Sequence, residues 1–592
     1  MTTRFATLVE LCEKSCQAFA DRPLFGTKDR GGWKWTRYGE FRGIVADCRA
    51  GLSGMGVGSG DKVALVSDNR LEWAACAYAV YGLGATVVPM YEAQMPSEWE
   101  FILGDCGAKV AFAADAAIAT RLSAAATHLP SLQHVLRFDG SEKDPDSFAA
   151  LVERGHAAPA PFREPSPDVT ANLIYTSGTM DKPKGVMLSH ANIVSNVNAL
   201  HDVFPFDTDD RSLSFLPWAH AFGQAELHTF LSMGCALALN RDVRLLLDEM
   251  AEVKPTVLVA VPRIFERLYA AVWEQLRERP RFVQSLVRDA VRWSTRRANG
   301  ERIGAFASLG VRAADALVFS KVRARFGGRL KYVICGGAAL EPEVGHFIDA
   351  LGLTVYEGYG LTETSPIVSA NSPGHRRLGS AGRVLPGVRV VIDRTVGEGT
   401  DGEIVVYGPN VMQGYHNRPD ENGALLPDGG LRTGDLGHVD ADGYLFITGR
   451  LKEQFKLQNG KYVMPAPLED SLKVSPYIAN AVIYGDNKPY CVALVLIDIV
   501  HVRRWAEEKG IELRDPTNDE RVIGLVTREI EQRSLDFRRF ERPRAFALAI
   551  DEFTPENGMM TPTLKLKRRL VVSKYRDILD ALYAKTKGDD TA

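Results

Sequence analysis

The sequence predicts an α/β protein. A large N-terminal region of several subdomains carries mostly parallel sheets and, at about 380–450, a β subdomain; a small α+β domain follows at the C-terminus. Three observations predict this. From residue 60, short apolar runs alternate with helical stretches, the texture of strand–helix–strand units. From Gly402, short β-rich runs alternate with Gly, Asp and Asn turns. After Gly449 and Arg450 the chain becomes a compact mixture of short strands and helices that ends in a basic amphipathic helix. The main boundary is placed at about 450, giving regions 1–450 and 451–592.

The elements follow in chain order. Residues 1–25 read as one amphipathic helix, with Leu8, Leu11 and Phe19 apolar and Glu10, Glu13 and Lys14 polar. The run Gly54, Gly56, Gly58, Gly60 does not space as G-x-G-x-x-G, no helix pattern follows it, and it reads as a loop. Residues 62–67 form a strand, 72–83 a helix ended by Gly82 and Gly84, and 85–89 a second strand. Further strands are expected at 109–113, 256–261 and 330–335. A Pro- and Ala-rich stretch at 155–168 reads as a linker. Residues 275–331 are helical and basic, with about fourteen basic residues against four acidic from Arg277 onward and Trp293, Phe306 and Phe319 interspersed. In the β subdomain, strands are expected at 403–407 and 444–448.

Composition narrows the function. A formal net charge of −3 argues against a nucleic-acid binder or an acidic tail protein. The eight cysteines form no CxxC pair; Cys12 and Cys16 share a helix face and read as a buried thiol pair in a reducing compartment. The N-terminus lacks a charged-then-apolar signal pattern, and no apolar window approaches the roughly 18 residues of a transmembrane helix. The expected location is the cytoplasm. The basic helices could serve a peripheral contact with an anionic membrane, steer phosphates, or simply form a solvated face.

The most informative segment runs Tyr-Thr-Ser-Gly-Thr-Met-Asp-Lys-Pro-Lys-Gly at 175–185. An apolar strand enters a loop that offers backbone N–H groups, the hydroxyls of Thr176, Ser177 and Thr179, and the Lys184 ammonium, the groups that cradle a polyphosphate. Gly178 permits close approach of the backbone to the anion. The spacing is not that of a Walker A loop. Further on, Gly336 and Gly337 end a strand, where a flat ring can lie against backbone, though a plain strand-to-helix turn looks the same. Tyr-Glu-Gly-Tyr-Gly-Leu-Thr-Glu-Thr occupies 356–364, Arg-Thr-Gly-Asp-Leu-Gly 432–437 and Leu-Pro-Trp-Ala-His-Ala-Phe-Gly 216–223. His220 in the last of these could equally be a satisfied core residue.

In this order, the segments resemble the adenylate-forming superfamily of acyl-CoA synthetases, adenylation domains and luciferases, over about residues 25–580. The resemblance implies that Tyr359 stacks on adenine beside Gly336, Gly337, Ala338 and Gly360, and that Thr362 touches the α-phosphate. It implies that Glu363 and Thr179 hold Mg²⁺, that Asp435 binds the ribose hydroxyls with Arg450 nearby, and that His220 sits near the acyl carboxylate. By the same resemblance the C-terminal domain is mobile: Lys452 is its hinge, and Gly460 lines the thiol tunnel in a thioester-forming pose. The final motif, Thr-Pro-Thr-Leu-Lys-Leu-Lys-Arg from 561, aligns Lys565 with the family's catalytic lysine, with Lys567 as the fallback. The phosphate loop departs from the family at two positions: Met180 replaces Thr and Asp181 replaces Gly. A hydroxyl is lost and a carboxylate gained beside a triphosphate; like charges about 4 Å apart repel by roughly 1–4 kcal/mol, depending on dielectric.

The implied reaction has two halves. A fatty carboxylate attacks the α-phosphorus of ATP, giving acyl-adenylate and pyrophosphate, and the thiol of coenzyme A then displaces AMP. The basic insertion, the Phe-Lys-Leu-x-Asn-Gly-Lys-Tyr-Val run at 455–463 and the Thr-Pro-Thr ending resemble the long-chain fatty acyl-CoA synthetases. Two alternatives stay open: an acyl-AMP ligase that loads a carrier protein, and an attenuated or non-catalytic nucleotide- and lipid-binding relative, suggested by Met180 and Asp181.

Overall fold

The computed structural model describes residues 4–586 apart from 161–163, 177–182, 299–300, 397–398, 555–556 and 562–565. Its largest sheet has seven strands, in the order Gly414–Tyr415, Lys184–Ser189, Thr170–Thr176, Thr86–Met90, Lys62–Val66, Val110–Ala113 and His134–Arg137. The five strands from Thr170–Thr176 to His134–Arg137 run parallel, and the two at the other edge are antiparallel. Thr86–Met90 and Val110–Ala113 are buried at every residue. A parallel strand covered on both faces reads as a continuous apolar run rather than an alternating one, which is why these strands were visible in the sequence. The helix between strands Lys62–Val66 and Thr86–Met90, Leu71–Tyr81, is buried from Trp73 to Tyr81, as an all-round apolar helix must be.

A second sheet orders Val257–Ala260, Tyr332–Cys335, Thr354–Gly360, Ile367–Ala370 and Arg383–Val384, parallel over the first three strands and antiparallel beyond. The basic stretch is the crossover between its first two strands, folded as helices Pro262–Arg277, Arg281–Ala298, Ala305–Ala314 and Ser320–Arg325 with a π turn at Asp315–Phe319. The β subdomain is a four-stranded antiparallel sheet of Arg389–Asp393, Gly402–Tyr407, Leu431–Val439 and Leu445–Arg450. Its first strand begins nine residues later than the expected boundary at 380, because Arg383–Val384 belongs to the second sheet. Beyond residue 450, strands Ile478–Tyr484, Val492–Ile497 and Ala545–Ala549 make a sheet with a core on each face: Ile483, Ala493 and Val495 in one, Val482, Val492 and Leu494 in the other.

The N-terminus departs from its reading as one helix. The helix spans only Leu8–Ala18, capped by Thr7, whose hydroxyl accepts from the Glu10 amide at 3.0 Å. Phe25 lies in strand Pro23–Asp29, in register with Leu237. The 155–168 linker is also shorter than expected, since helix Phe148–Ala157 runs into it. The eight cysteines are all buried free thiols, and Cys12 and Cys16 place their sulfurs 3.9 Å apart. Among the described residues no helix is long and apolar enough to cross a membrane.

Candidate active site

The ladder of the β subdomain builds one half of the site. Strands Leu431–Val439 and Leu445–Arg450 pair with Asp435 directly opposite Arg450. Their side chains meet, Arg450 Nε to Asp435 Oδ1 at 2.8 Å, and the Tyr359 hydroxyl donates to Asp435 Oδ2 at 2.6 Å. Asp435 is buried. The turn before it is fixed independently: the Thr433 hydroxyl accepts from the Asp435 amide at 3.1 Å and donates to the Ile404 carbonyl at 2.7 Å. Burial, and then the Asp435 charge, push the Tyr359 hydroxyl well above its ordinary pKa. Asp435 holds Arg450 above its usual value against the opposing effect of burial, with Glu453, Tyr359 and Glu363 adding to it. Tyr359, Asp435 and Arg450 therefore form one connected network.

Glycines bring the next wall close. A Cβ at Gly336 would stand 3.2 Å from the Phe222 ring and 3.7 Å from the Gly358 carbonyl, and one at Gly360 would overlap the Pro366 carbonyl. Those close approaches draw three sequence motifs together: the helix that starts after His220, the Gly336–Gly337 turn and the Tyr359–Gly360 strand end. Gly337, at φ +88, and Ala338 are exposed there. His220 is half-buried and caps helix Ala221–Ser232, its Nδ1 accepting from the Phe222 amide at 3.2 Å. Glu226, on the same helix, anchors it: Ser212 and Ser214 donate to its carboxylate at 2.6 and 2.7 Å, and burial raises its pKa to about 7.

The hairpin expected to hold the phosphates is arranged differently. Thr176 and Lys184 face each other across the antiparallel pair Thr170–Thr176 and Lys184–Ser189, so the loop is a hairpin with no helix directly after it. Ser177, Gly178, Thr179, Met180 and Asp181 lie outside the described residues. Lys184 is ion-paired with Glu421 and stands 5.7 Å over the Tyr415 ring. The Tyr415 hydroxyl in turn donates to Glu363 Oε1 at 2.9 Å. Thr362 is buried and Glu363 half-buried on the short 3-10 turn Thr362–Thr364.

Sequence reasoning passed over Tyr415 and Glu421. The signal was a Gly-Tyr pair followed by Asn417, Arg418 and Pro419, a turn-like string with no obvious chemistry. It also passed over Glu357, two residues before Tyr359, whose carboxylate accepts from the Gly379 amide at 3.1 Å and is raised by burial to about 7. Two expected residues stand apart from this cluster on exposed turns. Lys452 follows strand Leu445–Arg450, and Gly460, at φ +84, turns the hairpin of Phe455–Lys456 and Tyr462–Val463, where a left-handed residue is needed. Lys565 lies outside the described residues; three positions on, Arg568 Nη1 donates to Glu469 Oε1 at 2.7 Å.

A ring-sized wall of glycine and tyrosine, a buried carboxylate paired with arginine, and a hydroxyl- and lysine-bearing hairpin are the parts of a nucleotide site. The chain belongs to the AMP-binding enzyme family, whose model matches residues 12–416, and the AMP-binding enzyme C-terminal domain matches residues 452–587. It is 34% identical over 577 residues to the long-chain-fatty-acid–CoA ligase FadD15 of Mycobacterium bovis, covering 94% of this chain and 93% of that protein. It is 30% identical over 619 residues to the peroxisomal long chain acyl-CoA synthetase 6 of Arabidopsis thaliana, covering 99% and 87%. The adenylation domain of a carboxylate reductase from Mycobacterium chelonae shares its fold with a TM-score of 0.80 at 23% identity, over 98% of this chain and 91% of that one. So does the O-succinylbenzoate coenzyme A synthetase of Bacillus subtilis in complex with AMP, at a TM-score of 0.68 and 21% identity, over 94% and 97%.

Proposed function

We propose that this chain is an AMP-forming long-chain fatty acid–CoA ligase: it activates a long-chain fatty acid with ATP and transfers the acyl group to coenzyme A. The observation that carries this reading is the Tyr359–Asp435–Arg450 network, in a chain matched over nearly its full length by proteins named for that activity. Asp435 accepts hydrogen bonds from the ribose hydroxyls, with Arg450 orienting it. Adenine lies between the Tyr359 ring and the backbone of Gly336, Gly337 and Ala338, with Gly360 allowing the chain to turn away. Thr176, Ser177, Gly178, Thr179 and Lys184 hold the phosphates, and Thr362 contacts the α-phosphate.

Glu363 presents one half-buried carboxylate, and among the described residues no cluster of three or more His, Cys, Asp or Glu side chains forms a metal cage. That suits Mg²⁺, which keeps water and phosphate oxygens around one or two protein ligands; when bound it would neutralise phosphate charge. Glu363 and Thr179 are its proposed ligands. His220 orients the fatty carboxylate. Lys565 bridges that carboxylate and the α-phosphate, stabilising charge in the in-line displacement. The region beyond residue 450 moves as a unit about Lys452, and in the second half-reaction Gly460 lines the path of the thiol. The enzyme works in the cytoplasm.

The test is AMP release by the purified protein with ATP and Mg²⁺, with and without coenzyme A, across fatty acids of graded length, beside an Asp181→Gly variant. Release that requires both a long-chain acid and coenzyme A supports the reading. Activity confined to the variant would mean that Asp181 silences an otherwise intact site. Acyl-adenylate formation without transfer to coenzyme A would favour a carrier-protein acceptor instead, and no turnover by either protein would sink the assignment.

A further inference from the structure

The crossover between strands Val257–Ala260 and Tyr332–Cys335 carries an apolar face that the protein itself does not cover. Phe306 is 82% exposed, the highest value for a large hydrophobic side chain among the described residues; Phe282 is 71% exposed, Leu309 66% and Leu317 47%. Phe306, Leu309 and Leu317 follow at i, i+3 and i+11 along helix Ala305–Ala314 and the π turn Asp315–Phe319, so they share one side of a continuous helical segment. The side bearing Ala314 and Phe319 fastens that segment to the protein, both being fully buried in the core of the second sheet. At its margin Phe306 meets the Trp293 ring edge-on at 6.2 Å, and a Cβ on Gly310, four residues on, would come within 2.3 Å of the same ring. Burial of Ala314 and Phe319 leaves Phe306, Leu309 and Leu317 facing solvent.

The neighbouring helix supplies charge. On Arg281–Ala298, the exposed Arg281, Arg288, Arg292 and Arg296 recur at spacings of seven, four and four, one stripe along the helix. Acids neutralise it only in part: Arg292 pairs with Asp289 and Arg296 with Glu301. Arg302, Arg312 and Lys321 are exposed around the apolar stripe. The whole stretch carries about fourteen basic residues against four acidic, in a chain whose formal net charge is −3. Helices with bulky apolar groups on one side and arginines beside them lie in the interface of an anionic bilayer, the apolar groups among the upper acyl chains and the cations on headgroup phosphates.

We propose that helices Arg281–Ala298 and Ala305–Ala314 of this crossover, with the π turn after them, form a docking surface for an anionic lipid bilayer, with Phe306, Leu309 and Leu317 as the inserted groups and the arginine stripe as the headgroup contact. Nucleic acid fits less well: it would engage the arginines, but Leu309 and Leu317 have no flat face on which a base can stack. The proposal does not depend on which acid the site activates. Its geometry nevertheless ties the surface to the site, because the crossover starts at Val261, 3.7 Å from a Cβ on Gly337, and the strand it leads into ends at Gly336.

Co-sedimentation of the full-length protein with vesicles tests it, comparing pure phosphatidylcholine with phosphatidylcholine mixed with phosphatidylglycerol. The protein is expected to bind the anionic vesicles, to ignore the neutral ones and to detach as salt is raised. The double variant Phe306→Ser/Leu309→Ser and the charge variant Arg281→Glu/Arg312→Glu should each lower the affinity at least tenfold, with an unchanged circular dichroism spectrum and unchanged AMP release without vesicles. Because these side chains are exposed, folding should survive, and Phe306→Trp gives a second reading: its emission should shift to the blue on anionic vesicles. Failure of the folded protein to bind anionic vesicles would overturn the proposal. So would equal binding by all variants, or binding to single-stranded nucleic acid that these substitutions abolish while vesicle binding is absent.

Discussion

The two sides of the nucleotide site are built by different means. On the side proposed for ribose, Asp435 and Arg450 are opposite one another in an antiparallel ladder, and Tyr359 lies at the end of a strand of the adjoining sheet. Backbone register sets Asp435 against Arg450, and their 2.8 Å contact follows from it; Tyr359 reaches Asp435 from the other sheet at 2.6 Å. On the side proposed for the phosphates, register fixes only Thr176 against Lys184. What Lys184 and Glu363 then touch depends on Glu421 and Tyr415, from a segment more than 200 residues beyond the hairpin. A site half held by the ladder has groups already in place for its ligand. A half held by side chains can be tuned, because a partner such as Glu421 already engages the lysine proposed for the phosphates.

If that contrast is right, damage to the ladder half should be the most costly. Asp435→Ala removes the acceptor proposed for two ribose hydroxyls. Hydrogen bonds to a charged group contribute about 1.5–3 kcal/mol each, so kcat/KM for ATP should fall by roughly a hundredfold or more. An unchanged KM for ATP would break the assignment of Asp435 to ribose. Glu363→Gln comes next. Losing one electrostatic contact to a transferring phosphate costs on the order of a hundredfold in kcat. Part of that loss should return as Mg²⁺ is raised; a loss that Mg²⁺ leaves untouched would mean that Glu363 does not bind the metal.

The same contrast accounts for what the sequence revealed. Asp435 and Arg450 were legible because each lies in a short run whose order along the chain is informative, and the ladder that joins them is local. The buried parallel strands were legible because continuous apolar runs such as 86–90 have few other uses. Phe25 was misread, since its partner Leu237 is 212 residues away and pattern alone carried the helix past Pro23. Tyr415 and Glu421 were invisible for the same reason: nothing near them in sequence states that they will meet Glu363 and Lys184. The basic crossover was legible as helices, but its outward side was not, because the core that buries Ala314 and Phe319 is built from distant parts of the chain.

Tyr415→Phe sharpens the comparison at a smaller scale. The ring and its place beneath Lys184 are kept, and only the hydroxyl bonded to Glu363 is lost. Partners that orient a metal ligand are worth about 10- to 100-fold in metal affinity. The Mg²⁺ concentration needed for half-maximal AMP release should therefore rise by about tenfold, with KM for the fatty acid unchanged. A fall in kcat that leaves the Mg²⁺ requirement alone would make Tyr415 a packing residue.

Glu421→Gln should have the smallest effect and the opposite sign. Lys184 and Glu421 are both partly exposed, and such pairs contribute about 0.2–1 kcal/mol once screened by solvent. Releasing Lys184 from Glu421 therefore lowers KM for ATP by up to about fivefold, and added salt should narrow the difference between variant and parent, because it weakens the pair in the parent first. The prediction separates a competitor from a support. If Glu421 competes with the triphosphate for Lys184, its neutral variant binds ATP more tightly. If Glu421 instead holds Lys184 where the phosphates need it, the variant binds ATP less tightly, and the phosphate side would be as preorganised as the ladder side.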